Sequence, residues 1–150
     1  LGPVCDLLVS LWDGGNEAAF LSSPQATAGV LSFLDTFDDI VIDVPLAGSI
    51  SGEILAHLID KGVVALSLFD TIPEENMFTC SPRKASFQAS VLLALSKRPG
   101  QTESKVCDMY KQCGMDVIKD AIEARAPRQS EDEAREEFLG KFPVQFLSVE

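Results

Sequence analysis

The sequence predicts an all-α fold, a single domain spanning residues 1–150 and built from stacked antiparallel helix pairs. Apolar residues recur at three- and four-residue spacing in one segment after another. Strand-like alternation is almost absent, and helix stop and start signals punctuate the chain at short intervals. Consecutive helices joined by short loops fold back on each other, and a row of such pairs is an α-solenoid. No exact internal repeat accompanies the pattern.

The first segment, Val4 to Trp12, places Val4, Leu7, Leu8 and Leu11 on one face and stops at the turn signature Asp13-Gly14-Gly15. Ser23-Pro24 reads as an N-cap with proline at the first helical position, opening a helix that carries Val30, Leu31, Leu34 and Phe37 inward. The run Asp38-Asp39-Ile40-Val41-Ile42-Asp43-Val44-Pro45 reads as a tight, partly buried connection. Its β-branched residues disfavour helix, and Pro45 biases Val44 away from the α region. A helix from about Leu46 to Lys61 follows, with Ile50, Ile54, Leu55, Leu58 and Ile59 on one stripe and Gly62 as its left-handed cap.

A short helix over Val63 to Phe69 and a loop over Pro73 to Pro82 come next. They lead to an amphipathic helix over Lys84 to Lys97, with Phe87, Val91, Leu92 and Leu95 inward. Thr102 caps a helix through Val106, Met109 and Tyr110 that closes at Cys113-Gly114, and Asp116 to Glu123 forms another. The capping box Ser130-Glu131-Asp132-Glu133 opens a helix to Leu139, and the apolar tail Phe142 to Leu147 is expected to run extended against the last helices.

Composition narrows the function classes. With 46% apolar residues and nine Phe, the chain has enough apolar content for one core without disulfides or metals. Cys5, Cys80, Cys107 and Cys113 are unevenly spaced and form no CxxC pair, so they read as reduced, buried thiols of a cytoplasmic protein rather than metal ligands. No apolar run approaches the roughly 20 residues of a membrane span. His57 stands alone near a helix end, as a surface or capping residue, with no orienting Asn and no glycine-rich oxyanion loop. Neither a GxxxxGK[ST] nor a GxGxxG loop is present. No enzyme, cofactor or small-molecule site is expected. The chain reads as a piece excised from a longer protein.

Charge is more telling once divided along the chain. Residues 1–80 hold twelve acids and one base, Lys61, whereas residues 81–150 hold eleven of each. The acidic half repels nucleic acid and anionic lipid and attracts a basic protein surface. Arg125, Arg128 and Arg135 are the one basic cluster that an RNA-binding alternative would use. Within the acidic half, Asp35, Asp38 and Asp39 are expected at or just past a helix C-terminus, where negative charge opposes the macrodipole. Asp43 has a structural alternative as the cap of the next helix, but Asp39 has none. A partner's Arg or Lys would resolve the mismatch through charge-assisted hydrogen bonds. Ser81-Pro82-Arg83-Lys84 resembles a proline-directed kinase site, although so short a pattern is better explained by turn chemistry.

The turn Asp39-Ile40-Val41-Ile42-Asp43-Val44-Pro45 resembles that of the MI domain, also called MA-3, of eukaryotic translation initiation factor 4 gamma. Programmed cell death protein 4 carries a related domain. The likeness extends over Leu7 to Trp12, Val30 to Pro45, Gly62 to Val64, Ser104 to Met115, Glu133 to Gly140 and Val144 to Leu147, in the expected order. The chain lacks the N-terminal helix pairs that precede the matching segment in that family, and Leu46-Ala47-Gly48-Ser49 replaces a bulkier stretch after the turn.

The resemblance implies a HEAT-like α-solenoid that binds the DEAD-box RNA helicase initiation factor 4A during cap-dependent translation. It implies Asp39 and Asp43 as the contacts to basic residues of the helicase, with Pro45 shaping the turn and Asp35 and Asp38 adding field. The alternatives are a scaffold of the same fold with another protein partner, and a helicase-inhibiting translational repressor.

Overall fold

The computed structural model of the chain describes residues 2–12, 21–125 and 128–148. Among them the fold is all-α, with eight α-helices, three short 3₁₀ segments and no strand. The helices are α1 (Gly2–Leu11), α2 (Ser23–Asp35), α3 (Phe37–Asp43), α4 (Ala47–Asp60), α5 (Lys84–Ser96), α6 (Glu103–Gln112), α7 (Val117–Glu123) and α8 (Glu131–Lys141). The Asp13-Gly14-Gly15 turn lies outside the described residues.

Local chemistry fixes most helix ends. Ser22, one residue before the expected cap, closes a reciprocal capping box with Gln25, and Pro24 sits in the first turn of α2. Ser23 instead accepts the Trp12 indole N–H at 3.0 Å, tying α1 to α2. Thr102, Asp116 and the Ser130–Glu133 box cap α6, α7 and α8 as their side chains predict. Gly62 and Gly114 hold φ values of 73° and 63°, the left-handed conformation that lets the chain leave α4 and α6.

The core runs along α4 and α5, which make the most extensive contact in the molecule. Leu55, Leu58 and Ile59 face Phe87, Val91, Leu92 and Leu95, all buried as their spacing predicts. Gly52 gives α4 its close approach: a Cβ there would lie 3.3 Å from Ser90 Cβ. Gly52 meets Ser90, His57 meets Arg98 and Asp60 meets Gln101. These numbers rise together, so α4 and α5 run in the same sense. The expected antiparallel pairing does not hold for this pair, because the long connection over residues 61–83 returns the chain to its starting end.

Five phenylalanines, Phe33, Phe37, Phe69, Phe78 and Phe87, form a second focus, with ring centroids 4.7–6.5 Å apart. They join α2, α3 and α5 to the 3₁₀ segments Leu66–Asp70 and Met77–Cys80. Edge-to-face and tilted ring pairs add about 0.5–1.5 kcal/mol each beyond area burial.

Four further expectations change. The apolar face assigned to the first helix is only partly the one it buries: Leu8 packs inward as expected, with Cys5 and Val9 beside it, while Val4, Leu7 and Leu11 are exposed. His57 is a buried residue rather than a surface cap. The tail is not extended throughout: residues Gln145–Ser148 form a 3₁₀ turn, which buries Val144 and Leu147. Cys80 is exposed, whereas the other three cysteines are buried; all four are free thiols.

Candidate functional site

The largest correction falls on the acidic segment. Residues 38–43, expected as a connection, form the helix α3 together with Phe37, expected to belong to the helix before. Two terms outweigh the low helix propensity of Ile40, Val41 and Ile42. Phe37 is fully buried in the aromatic cluster and anchors the N-terminal end. Asp38 and Asp39 occupy the first turn, where carboxylates favour the positive end of the dipole by about 0.3–1 kcal/mol each. Pro45 then acts as predicted: Val44, at φ −128° and ψ 87°, leaves the helical region and α3 stops. Val44 N–H still donates to Ile40 O at 2.8 Å, and Ala47 N–H to Val44 O at 2.8 Å, so the corner into α4 is tightly bonded.

The five predicted site residues therefore divide. Asp35 ends α2, and its carboxylate accepts the Met77 N–H at 2.8 Å. Asp38 accepts from Ser81 Oγ at 2.9 Å and from Arg83 Nη1 at 3.0 Å on the same oxygen, so an internal guanidinium neutralises it. Asp35 and Asp38 are structural ties between α2–α3 and the segment before α5. Asp39 and Asp43 have neither an ion-pair nor a hydrogen-bond partner among the described residues, and both are exposed. The cap of α4 is Leu46, with no side-chain hydrogen bond, so Asp43 does not cap it. Asp43 sits in the last turn of α3 with no cation beside it, against the dipole.

Sequence reasoning missed the apolar part of this corner. Ile42 is 67% exposed, Val44 50%, Leu46 68% and Ile50 39%. Asp39, Ile42 and Asp43 are spaced i, i+3 and i+4, so they share the outward face of α3, opposite Phe37 and Val41. Leu46 and Ile50 share a face where α4 begins. Apolar side chains flanked by unpaired carboxylates have the composition of a protein-binding patch: an apolar centre to exclude water and charge at the rim. The usable signal was the helical i, i+3, i+4 spacing of Asp39, Ile42 and Asp43, which the connection reading had set aside by assigning the apolar residues to partial burial.

A separate apolar cleft of about 330 Å³ opens between α1, α2 and α4, lined by Leu8, Leu21, Val30, Phe33, Ile54 and Leu58. Gly29 stands in its wall, and a Cβ there would meet nothing within 4 Å.

Away from these surfaces, His57 Nδ1 lies 2.8 Å from Arg98 Nη1, and its Nε2 is buried without a partner. Burial, with the Arg98 and Lys61 charges, pushes the imidazole below its ordinary value despite Asp6 and Asp60. This histidine is a packed link between α4 and the end of α5, and among the described residues it makes no hydrogen bond to a carboxylate or thiol.

Compared with known proteins, the chain matches no family model, no curated protein and no solved structure. Among the described residues, no helix is long and apolar enough to cross a membrane.

Proposed function

We propose that this chain is a non-enzymatic scaffold domain of translation initiation. In this reading it works in the cytoplasm and holds the DEAD-box RNA helicase initiation factor 4A through the α3–α4 corner. The observation that carries the reading is the exposed, unpartnered pair Asp39 and Asp43 flanking Ile42 on one face of α3. The pair coincides with the positions at which the resemblance to the MI domain implies helicase contacts, and Pro45 sets the angle at which α3 meets α4. A basic surface on the partner supplies the cations, and Ile42, Val44 and Leu46 supply the desolvated centre. Truncating such an anchor costs about 2 kcal/mol or more, roughly a thirtyfold loss of affinity.

The apolar cleft beside α1 favours a second reading, in which the same fold takes an amphipathic helix from another partner. One experiment separates the two. Purified helicase is titrated onto the wild-type chain, Ile42→Ser and Gly29→Leu. The corner reading expects loss only in Ile42→Ser; loss only in Gly29→Leu moves the contact to the cleft, and no binding by the wild type removes the helicase from the account.

A further inference from the structure

We propose that Ser81 is a phosphorylation site for a proline-directed protein kinase, and that the phosphate releases α3 by taking Arg83 from Asp38. Ser81-Pro82-Arg83-Lys84 has the proline at the next position and the lysine two beyond it that such kinases accept. The geometry adds what so short a pattern lacks. Ser81 holds φ −65° and ψ 129°, the extended, polyproline-like backbone a kinase cleft takes, and Thr79, Cys80 and Pro82 around it are exposed. The hydroxyl itself has two partners: it donates to Asp38 Oδ1 at 2.9 Å and accepts the Arg83 backbone N–H at 3.1 Å.

In the transfer, the kinase's base takes the Ser81 hydroxyl proton. A bond forms between Oγ and the γ-phosphorus of ATP, the bond from that phosphorus to the bridging oxygen breaks, and ADP leaves. The product carries a charge of about −1.5 to −2 where a neutral hydroxyl had faced a carboxylate. On the α5 side the nearest groups favour it, against Asp120 and Glu123 of α7, which line the same cleft, with Asp120 paired to Lys84. The Arg83 N–H already points at Oγ, and the Arg83 guanidinium is a bidentate phosphate ligand within reach. The N-terminus of α5, a helix of 13 residues, begins at Lys84. Everything on the α3 side opposes it, since Asp38, Asp39 and Asp43 are the charged groups of α3 and Asp35 ends α2 beside it. Asp38 therefore loses both tertiary partners. The seven-residue α3, too short to persist alone, is left with the packing of Phe37 and Val41.

Any effect on partner binding rests on the α3–α4 corner being the docking surface; the modification and the loosening of α3 do not. The full chain is incubated with a cyclin-dependent kinase, ATP and magnesium, then analysed by mass spectrometry and by hydrogen exchange of the amides of residues 40–44. Ser81 is expected to be modified, and exchange there to accelerate about fivefold or more. Ser81→Ala, which leaves the Arg83–Asp38 pair in place, is expected to change exchange less than twofold, and phosphorylated Asp38→Asn is expected to show no acceleration. An unmodified Ser81, unchanged exchange after modification, or equal acceleration in Asp38→Asn overturns the proposal. Failure of the docking reading shows separately, as normal binding by unphosphorylated Asp39→Lys.

Discussion

Asp39 and Asp43 face the same solvent from opposite ends of one short helix, and their effects on stability should have opposite signs. Asp39 lies in the first turn of α3 and Asp43 in the last. Asp39→Ala is expected to lower stability, and Asp43→Ala to raise it, each by about 0.3–1 kcal/mol at low salt. Urea denaturation of the two variants checks this; equal signs would remove the dipole argument. His57 gives a second test at the same scale. Its folded pKa is depressed below the ordinary 6.5, chiefly by burial and then by Arg98 and Lys61, so the native state holds the neutral ring. The unfolded chain binds that proton more readily. Stability is therefore complete above pH 6.5 and falls as the pH drops from there toward the folded pKa. Between pH 7.5 and 5.5 the wild type should lose more stability than His57→Gln, whose amide can still meet Arg98 but does not titrate.

Helix periodicity and caps made most elements legible in the sequence. Phe87, Val91, Leu92 and Leu95 of α5 and the Ser130–Glu133 box sit as their spacing dictates, because short-range chemistry alone determines them. α3 was not legible as a helix. Its local propensity is poor, and the terms that override it are Phe37 entering an aromatic cluster assembled from distant segments and, once the helix starts there, Asp38 and Asp39 in its first turn. The buried face of α1 was only partly legible for a similar reason: Leu8 fits a stripe with Val4, Leu7 and Leu11 as well as one with Cys5 and Val9, and only the packing against α4 decides. Two mid-helix glycines test packing at this scale. Gly29→Ala meets open space and should raise stability by up to about 1 kcal/mol, the usual propensity gain. Gly52→Ala pushes a methyl to 3.3 Å from Ser90 Cβ between packed helices and should instead lower stability, by roughly 1–3 kcal/mol less the propensity gain. Thermal melts decide both signs.

Over the whole molecule, charge and fold act together. The excess acid of residues 1–80 gives α1 to α4 a negative field, while the bases after residue 80 are partly spent on internal pairs such as Arg83–Asp38 and Lys84–Asp120. On the proposed reading this field steers a partner with a basic surface toward the corner, and binding should weaken with added salt. The candidate surface was partly legible in the sequence: Pro45 ends the segment as expected and Asp39 and Asp43 are exposed, but they lie on helix α3 rather than in a turn, with Asp39 in its first turn rather than past a helix C-terminus, and Asp35 and Asp38 have internal partners that no local pattern reveals. The most direct test is isothermal titration of the purified helicase initiation factor 4A into the wild-type chain, Asp39→Lys, Asp43→Lys and the control Glu74→Lys, at low and physiological salt. The account predicts that both aspartate reversals lose about tenfold or more in affinity although their melting points shift in opposite directions, Asp39→Lys down and Asp43→Lys up, and that Glu74→Lys binds like wild type. Equal affinity across all four chains would contradict it.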